Sequence, residues 1–231
     1  MKKISFLFIA LFFMACGKDQ NDLTVKVNIE GLKKGTLYLK KVEDTIVVTV
    51  DSLVVNGNSN IELHSDLDAP EIFYLYLDKR SAEKDRISFF ADKGITEINT
   101  TLKNFVFDAD IKGSKQQKVL DDYKTLISKM NNRNLELIKA QFEAQKDKDT
   151  AQYIKLKKEA DNSIKRKYLY TVNFALNNND SEVAPYLALT EIYNARIDLL
   201  DTINKSLTHK VKDSKYGKEL EAFIEEIKNQ K

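Results

Sequence analysis

The sequence predicts an α+β protein: an antiparallel β-sandwich or partly open barrel over residues 23–113, followed by a helical domain over residues 114–231. Three observations predict it. Between Leu23 and Lys112 apolar and polar residues alternate in short runs, the period of half-buried strands. After Gly113-Ser114 no glycine recurs until Gly217, and the only proline is Pro185. Over that same stretch apolar residues return at spacings of three and four, the mark of a helix with one buried stripe.

In chain order, the first element precedes the fold. Met1-Lys2-Lys3 is followed by the apolar run Ile4 to Ala15, interrupted only by Ser5, and by an abrupt polar turn at Gly17. A basic end, an apolar centre and small residues at its close make a secretory leader. A dozen helical residues at ~1.5 Å of rise each fall short of the roughly 30 Å hydrocarbon core, so a spanning helix is disfavoured. Met14-Ala15-Cys16-Gly17 resembles a bacterial lipobox, with Phe13 standing where that pattern usually has leucine. The resemblance implies a signal peptide over 1–15, lipidation at Cys16 with diacylation of its sulfur (palmitate-type chains), and a polar tether over 16–22. At roughly 0.8 kcal/mol per buried methylene, several acyl chains hold a protein on a bilayer far more firmly than one. An ordinary leader with an incidental cysteine is the alternative.

The β region reads as around eight short strands, from the alternation Val25, Val27, Ile29 through "TLYLKKV", "TIVVTVDSLVV", "NIELHSDL", "EIFYLYLD", "RISFFAD", "ITEINTTL" and "FVFDADIK". Asn56-Gly57 between two of these runs is the strongest tight-hairpin signal, because such turns need positive φ. The helical region reads as two long helices that break near "QKDKDT", with apolar stripes through 119, 123, 126/127, 130 and 137/138 and through 153, 156, 160, 164, 168, 172 and 175/176. A third helix starts at "NNNDSEVAP", where Asp180 or Ser181 can cap and Pro185 suits the first turn. A fourth covers Asp198 to Leu207, and "GKELEAFIEEIKNQ" forms the last.

Without residues 1–15 the chain carries 35 basic and 35 acidic side chains, so nothing points to nucleic acid. Residues 16–114 are net −4 and residues 115–231 net +4, which leaves open two solvated surfaces or two halves that dock. With Cys16 the only cysteine, neither an intrachain disulfide nor dithiol chemistry is available. His64 and His209 lack a second ligand-type residue at metal-site spacing, so no metal and no cofactor are expected, and catalytic residues are expected to be none. Glycine-rich phosphate loops and hydrolase motifs are missing. Asp51, Asp66, Asp68 and Asp78, at strand ends or turns, leave a carboxylate-based hydrolase as an alternative. Phe73, Tyr74, Tyr76, Phe89 and Phe90 fit core packing better than a ligand groove. The basic cluster from Lys155 to Lys167 reads as a solvated helix face.

"VDSLVVNGN", "APEIFYLYLD", "ISFFADKGITEINTTL", "IKGSKQQKVLDDY", "SEVAPYLAL" and "DSKYGKELEAFIEEI" together resemble the N-terminal domain of unknown function (DUF4369-type) of Bacteroidetes lipoproteins related to the TlpA and AhpC/TSA thiol-disulfide oxidoreductases. The resemblance spans residues 23 to 227. In longer relatives a thioredoxin-like domain with a Cys-x-x-Cys motif follows; this sequence has no such motif, so the family's redox residues map to nothing here. What the resemblance implies is the scaffold. The triplets "DTI" at 44 and 201, "DSL" at 51 and "DTA" at 149 also fit the Asp-Ser/Thr-apolar pattern of O-glycosylation in such proteins. The expectation is a membrane-tethered, non-catalytic envelope lipoprotein, facing the periplasm or the surface from the outer membrane, that acts as a binding or interaction module. The membrane, through its N-terminal lipid, and an envelope protein are the expected partners. A role as accessory to a separate thioredoxin-like protein is the rival.

Overall fold

The computed structural model describes residues 21–57, 60–78 and 86–230; the leader 1–15, Cys16 and the tether up to residue 20 lie outside the described residues. Eight strands form two four-stranded sheets. The first takes β4 (Ile61–Ser65), β1 (Leu23–Glu30), β7 (Gly94–Thr101) and β8 (Asp110–Lys112) in that order, and the second takes β3 (Ile46–Asn56), β2 (Lys34–Glu43), β5 (Glu71–Asp78) and β6 (Arg86–Ala91). The alternation in the sequence becomes the two faces of each strand. Leu23, Val25, Val27 and Ile29 of β1 meet Leu37 and Leu39 of β2, Phe73, Leu75 and Leu77 of β5 and Phe89 of β6 in one buried core. Each such side chain contributes about 1.5–3 kcal/mol by leaving water. The architecture is therefore a sandwich of two open sheets.

Three details depart from the sequence reading. β1 and β7 are parallel over eight residues, Leu23 opposite Gly94 through Glu30 opposite Thr101, within otherwise antiparallel sheets. Gly57 does adopt positive φ (83°), but β3 before it and β4 after it lie in different sheets, so the chain crosses the sandwich there instead of making a hairpin. The tight hairpin is β2–β3, turned at Asp44 with φ 53°. The run "FVFDADIK" gives a strand only at 110–112; Phe105 instead plugs the core from a turn, its carbonyl accepting a hydrogen bond from the Thr100 hydroxyl (2.8 Å).

The helices are α1 (Lys115–Lys146), α2 (Thr150–Asn177), α3 (Val183–Thr190), α4 (Ile197–Ser206), α5 (His209–Lys212) and α6 (Lys215–Asn229). Short α5 has no counterpart in the sequence reading. The break between α1 and α2 falls within "QKDKDT": Lys148 takes φ 56°, and Asp149 caps α2 by accepting from Gln152 N (2.9 Å). Pro185 sits in the first turn of α3, and Ser181 Oγ accepts from Val183 N (3.2 Å). The far part of the α1–α2 hairpin is closed by Leu137, Ala144, Leu156 and Ala160. Val172, Ala184, Leu200, Val211 and Leu220 join α2 to α3–α6 in a second core.

A third cluster joins sandwich to helices. Ile72-Phe73 and Phe89-Phe90 place apolar residues on consecutive positions, and consecutive strand positions face opposite ways. Phe73 and Phe89 enter the sandwich, while Ile72 and Phe90 pack on Leu120, Tyr123, Ile127, Val183, Leu187 and Tyr216. Phe90, Tyr186 and Tyr216 meet edge to face, with centroids 5.2–5.7 Å apart. Two strand amides end on helix side chains: Phe90 N donates to Gln117 Oε1 (2.7 Å) and Ile72 N to the Tyr216 hydroxyl (3.0 Å). The halves of opposite net charge do touch, but through a largely apolar seam in which Glu71 of β5 meets Lys215 of α6.

A candidate binding cleft at the seam

Where the sheet edge meets the helices, two cavities adjoin. The first, of about 580 Å³, lies among the β6–β7 turn (Asp92, Lys93), the start of α1 (Lys115, Gln116), Glu182 before α3, and Lys210 on α5. The second, of about 500 Å³, lies toward the β2–β3 turn and α6 (Lys41, Glu43, Lys218, Glu219). Asp68, Ala69, Asp213 and Ser214 line both.

The chain builds the first cavity from turns locked by side chains. Asp92 Oδ2 accepts from Lys115 N (2.5 Å) and Gln116 N (3.2 Å), so a turn carboxylate joins Ser114, the N-cap, in satisfying the open end of α1. Gly113 holds φ 96°, and a Cβ there would stand 2.1 Å from Ile95 O. Asp22 ties the start of β1 to the same corner: its carbonyl accepts from Gly94 N (2.7 Å) and its carboxylate from Lys93 Nζ (3.0 Å) and Leu67 N (3.2 Å). The Lys93 ammonium and the Leu67 amide hold the Asp22 carboxyl below the usual range. On α5, Thr208 N donates to Asn179 O (3.1 Å), which fixes Lys210 beside the α2–α3 turn.

Two buried glutamates contrast. Glu71, in the second cavity, receives Lys215 at 2.6 Å and Lys41 at 3.4 Å, and Lys215 also donates to Val42 O (2.5 Å). Burial by itself lowers the Lys41 ammonium, but the charges and hydrogen bonds of Glu71 and Glu43 more than offset it, and the net shift is upward. Glu182 is 1% exposed, and neither of its carboxylate oxygens makes a hydrogen bond; Asp92 Oδ1 is likewise buried and unsatisfied. Burial pushes the Glu182 carboxyl above its ordinary range, its own backbone N–H and Lys210 pull it back in part, and Asp92 and Asp180 raise it further. A buried carboxylate without partners costs several kcal/mol unless it is neutralised or liganded.

Of the acids singled out in the sequence, only Asp68 lines the cleft. Asp51 accepts from Ser52 N and His64 N (2.7 Å each), Asp66 stands exposed, and Asp78 ends β5. His64 Nδ1 lies 3.2 Å from the Thr24 hydroxyl across the β1–β4 pair, and His209 Nδ1 lies 2.7 Å from Asp213 Oδ2 on an imidazole that is 93% exposed. Phe73 and Phe89 are sandwich core and Phe90 belongs to the seam, while Tyr74 lies under Arg86 and Tyr76 under Lys40. The basic helix face is exposed except at Lys167, which pairs with Glu191 (3.1 Å). Among the described residues no group of three or more His, Cys, Asp or Glu could hold a metal ion, and no helix is long and apolar enough to cross a membrane.

Glu182 and Asp92 were missed in the sequence because ninety residues separate them, and each sits in an ordinary polar turn. The one available signal was "NNNDSEVAP", where a glutamate directly precedes a helix that is almost wholly apolar. No curated protein matches this chain in sequence. Residues 23–120, all eight strands and the start of α1, match the family model of DUF4369, a domain of unknown function.

Proposed function

We propose that this protein is a non-catalytic binding module of the bacterial envelope, held on the outer membrane by a lipid on Cys16 and engaging its ligand or partner through the seam cleft. The observation that carries the reading is the continuous concavity of two cavities, lined by both charge signs, at a corner built from both parts of the molecule. Concave sites with a few convergent polar groups are the usual places for recognition. The hydroxyls at this corner are engaged by the fold, Ser214 donating to Val211 O (2.7 Å) and Ser181 to Gln116 Oε1. In this reading the matched domain supplies one wall of the recognition surface and the helical part the other, and the resemblance to TlpA-related lipoproteins supports an envelope location. The test is capture of the acylated protein from its own envelope, followed by mass spectrometry, beside a variant with Lys210 and Lys218 on the two rims changed to Glu. An envelope component enriched with wild type over the variant supports the reading. Identical capture by both proteins removes the cleft from it.

A further inference from the structure

Glu182 is a buried acid that the fold leaves without use. The neighbouring cavity shows how this chain treats a structural buried carboxylate: Glu71 is given two lysines. Glu182 has none in hydrogen-bonding contact, and the nearby Asp92 Oδ1 is unsatisfied too, so three acceptor oxygens at one corner lack donors. An alkylammonium offers three N–H donors and no acceptor, which matches that deficit, whereas a water offers two. A metal ion matches it less well, because no cluster of metal-ligating residues forms among the described residues. Lys115 and Lys210, both exposed, stand on the rim of the same cavity, and Ala69 and Pro70 give it an apolar wall. At about 580 Å³ the space suits a small molecule, within the roughly 300–1,000 Å³ of ligand pockets.

We propose that the first cavity binds the ammonium end of a small zwitterion, with Glu182 and Asp92 accepting its N–H groups and with Lys115 and Lys210 meeting its carboxylate or phosphate. This rests on the reading of the cleft as a binding site, and adds the chemistry of what it takes. No bond is made or broken; the ligand supplies the charge that Glu182 lacks.

Calorimetry on the full chain in detergent tests it, with glycine, glycylglycine and phosphoethanolamine as probes and N-acetylglycine and inorganic phosphate as amine-free controls. At least one zwitterion should bind saturably, with the controls weaker by about tenfold or more, the worth of a lost charge-assisted contact. Glu182→Gln should weaken the zwitterion by about tenfold or more on the same ground, while Glu221→Gln, exposed on α6, should not. The carboxylate and phosphate probes together tell which anion the lysines prefer. Controls that bind as tightly as the zwitterions would keep the cleft as a binding site and overturn the ammonium assignment. Unchanged binding by Glu182→Gln would overturn it as well. Silence from every probe at tens of millimolar would also overturn it, and the broader reading would still be decided separately by envelope capture.

Discussion

At the scale of single residues, the unpartnered acid sets a pH dependence whose sign can be worked out. A free glutamate titrates at about 4.3, and burial raises Glu182 above that in the folded chain. Below the unfolded value both states hold the proton and Glu182 contributes nothing; as pH rises through the folded value, the folded state must surrender a proton it prefers to keep, and stability falls. Glu182→Gln removes this cost. Its unfolding midpoint should exceed that of wild type at pH 7 to 8, and the difference should vanish near pH 4 in a thermal melt series. Equal midpoints across the series would show that Glu182 is satisfied in solution. Tyr216→Phe acts oppositely: it leaves the Ile72 amide buried without an acceptor, at a cost of about 1–3 kcal/mol measurable by urea titration.

At the scale of elements, α6 crosses α5 so closely that a Cβ on Gly217 would lie 2.1 Å from Val211 O and 2.6 Å from Lys212 O. In an open helix a glycine-to-alanine change stabilises by roughly 0.5–1 kcal/mol, so the close crossing reverses the expected sign. Gly217→Ala should destabilise, and a gain in melting temperature would mean that α5 can step aside. The same element shows what the sequence could and could not reveal. The long helices, their break and the terminal helix were legible because each helix carries its own apolar period and the break is a run of polar residues. Four-residue α5 has too little length to show a period. The strands were legible as strands, but their partners were not. Alternation says which face a residue takes and nothing about which strand lies beside it, so the parallel β1–β7 pair and the crossing at Gly57 stayed hidden. The doubled apolar steps at 72–73 and 89–90 are the mark of a sheet covered on both faces, a signal that the strand alternation alone did not bring out.

At the scale of the whole molecule, the seam should make the two parts unfold as one cooperative unit, since Phe90 and Ile72 share a core with residues from α1, α3 and α6. Phe90→Ala should cost about 3–5 kcal/mol, with far-ultraviolet dichroism and tyrosine fluorescence reporting one common transition. Transitions that separate in the wild type would show two independent domains. The cleft itself was not legible, because its walls come from the β6–β7 turn, the start of α1, the α2–α3 turn and α5, and only folding brings them together. Attachment is tested at the other end of the chain: Cys16→Ala should abolish incorporation of an alkyne fatty acid, and equal label on both proteins would sink the lipid anchor. Asp22, last residue of the expected tether, is bonded into the sandwich through Leu67 N and Lys93.

The place of β1 in its sheet has a mechanical consequence. The strand that would follow the expected tether is a central one, gripped by β4 along one side and by β7 along the other. A pull arriving at Asp22 along the strand axis loads both ladders in shear, so their hydrogen bonds bear the tension together rather than peeling apart in succession. The first rung, Gly94 N to Asp22 O at 2.7 Å, stands where that force enters. A body hung from a membrane by this end would be held by a strand paired on both sides, and the helices would ride beyond the clamp, outside the path of the strain.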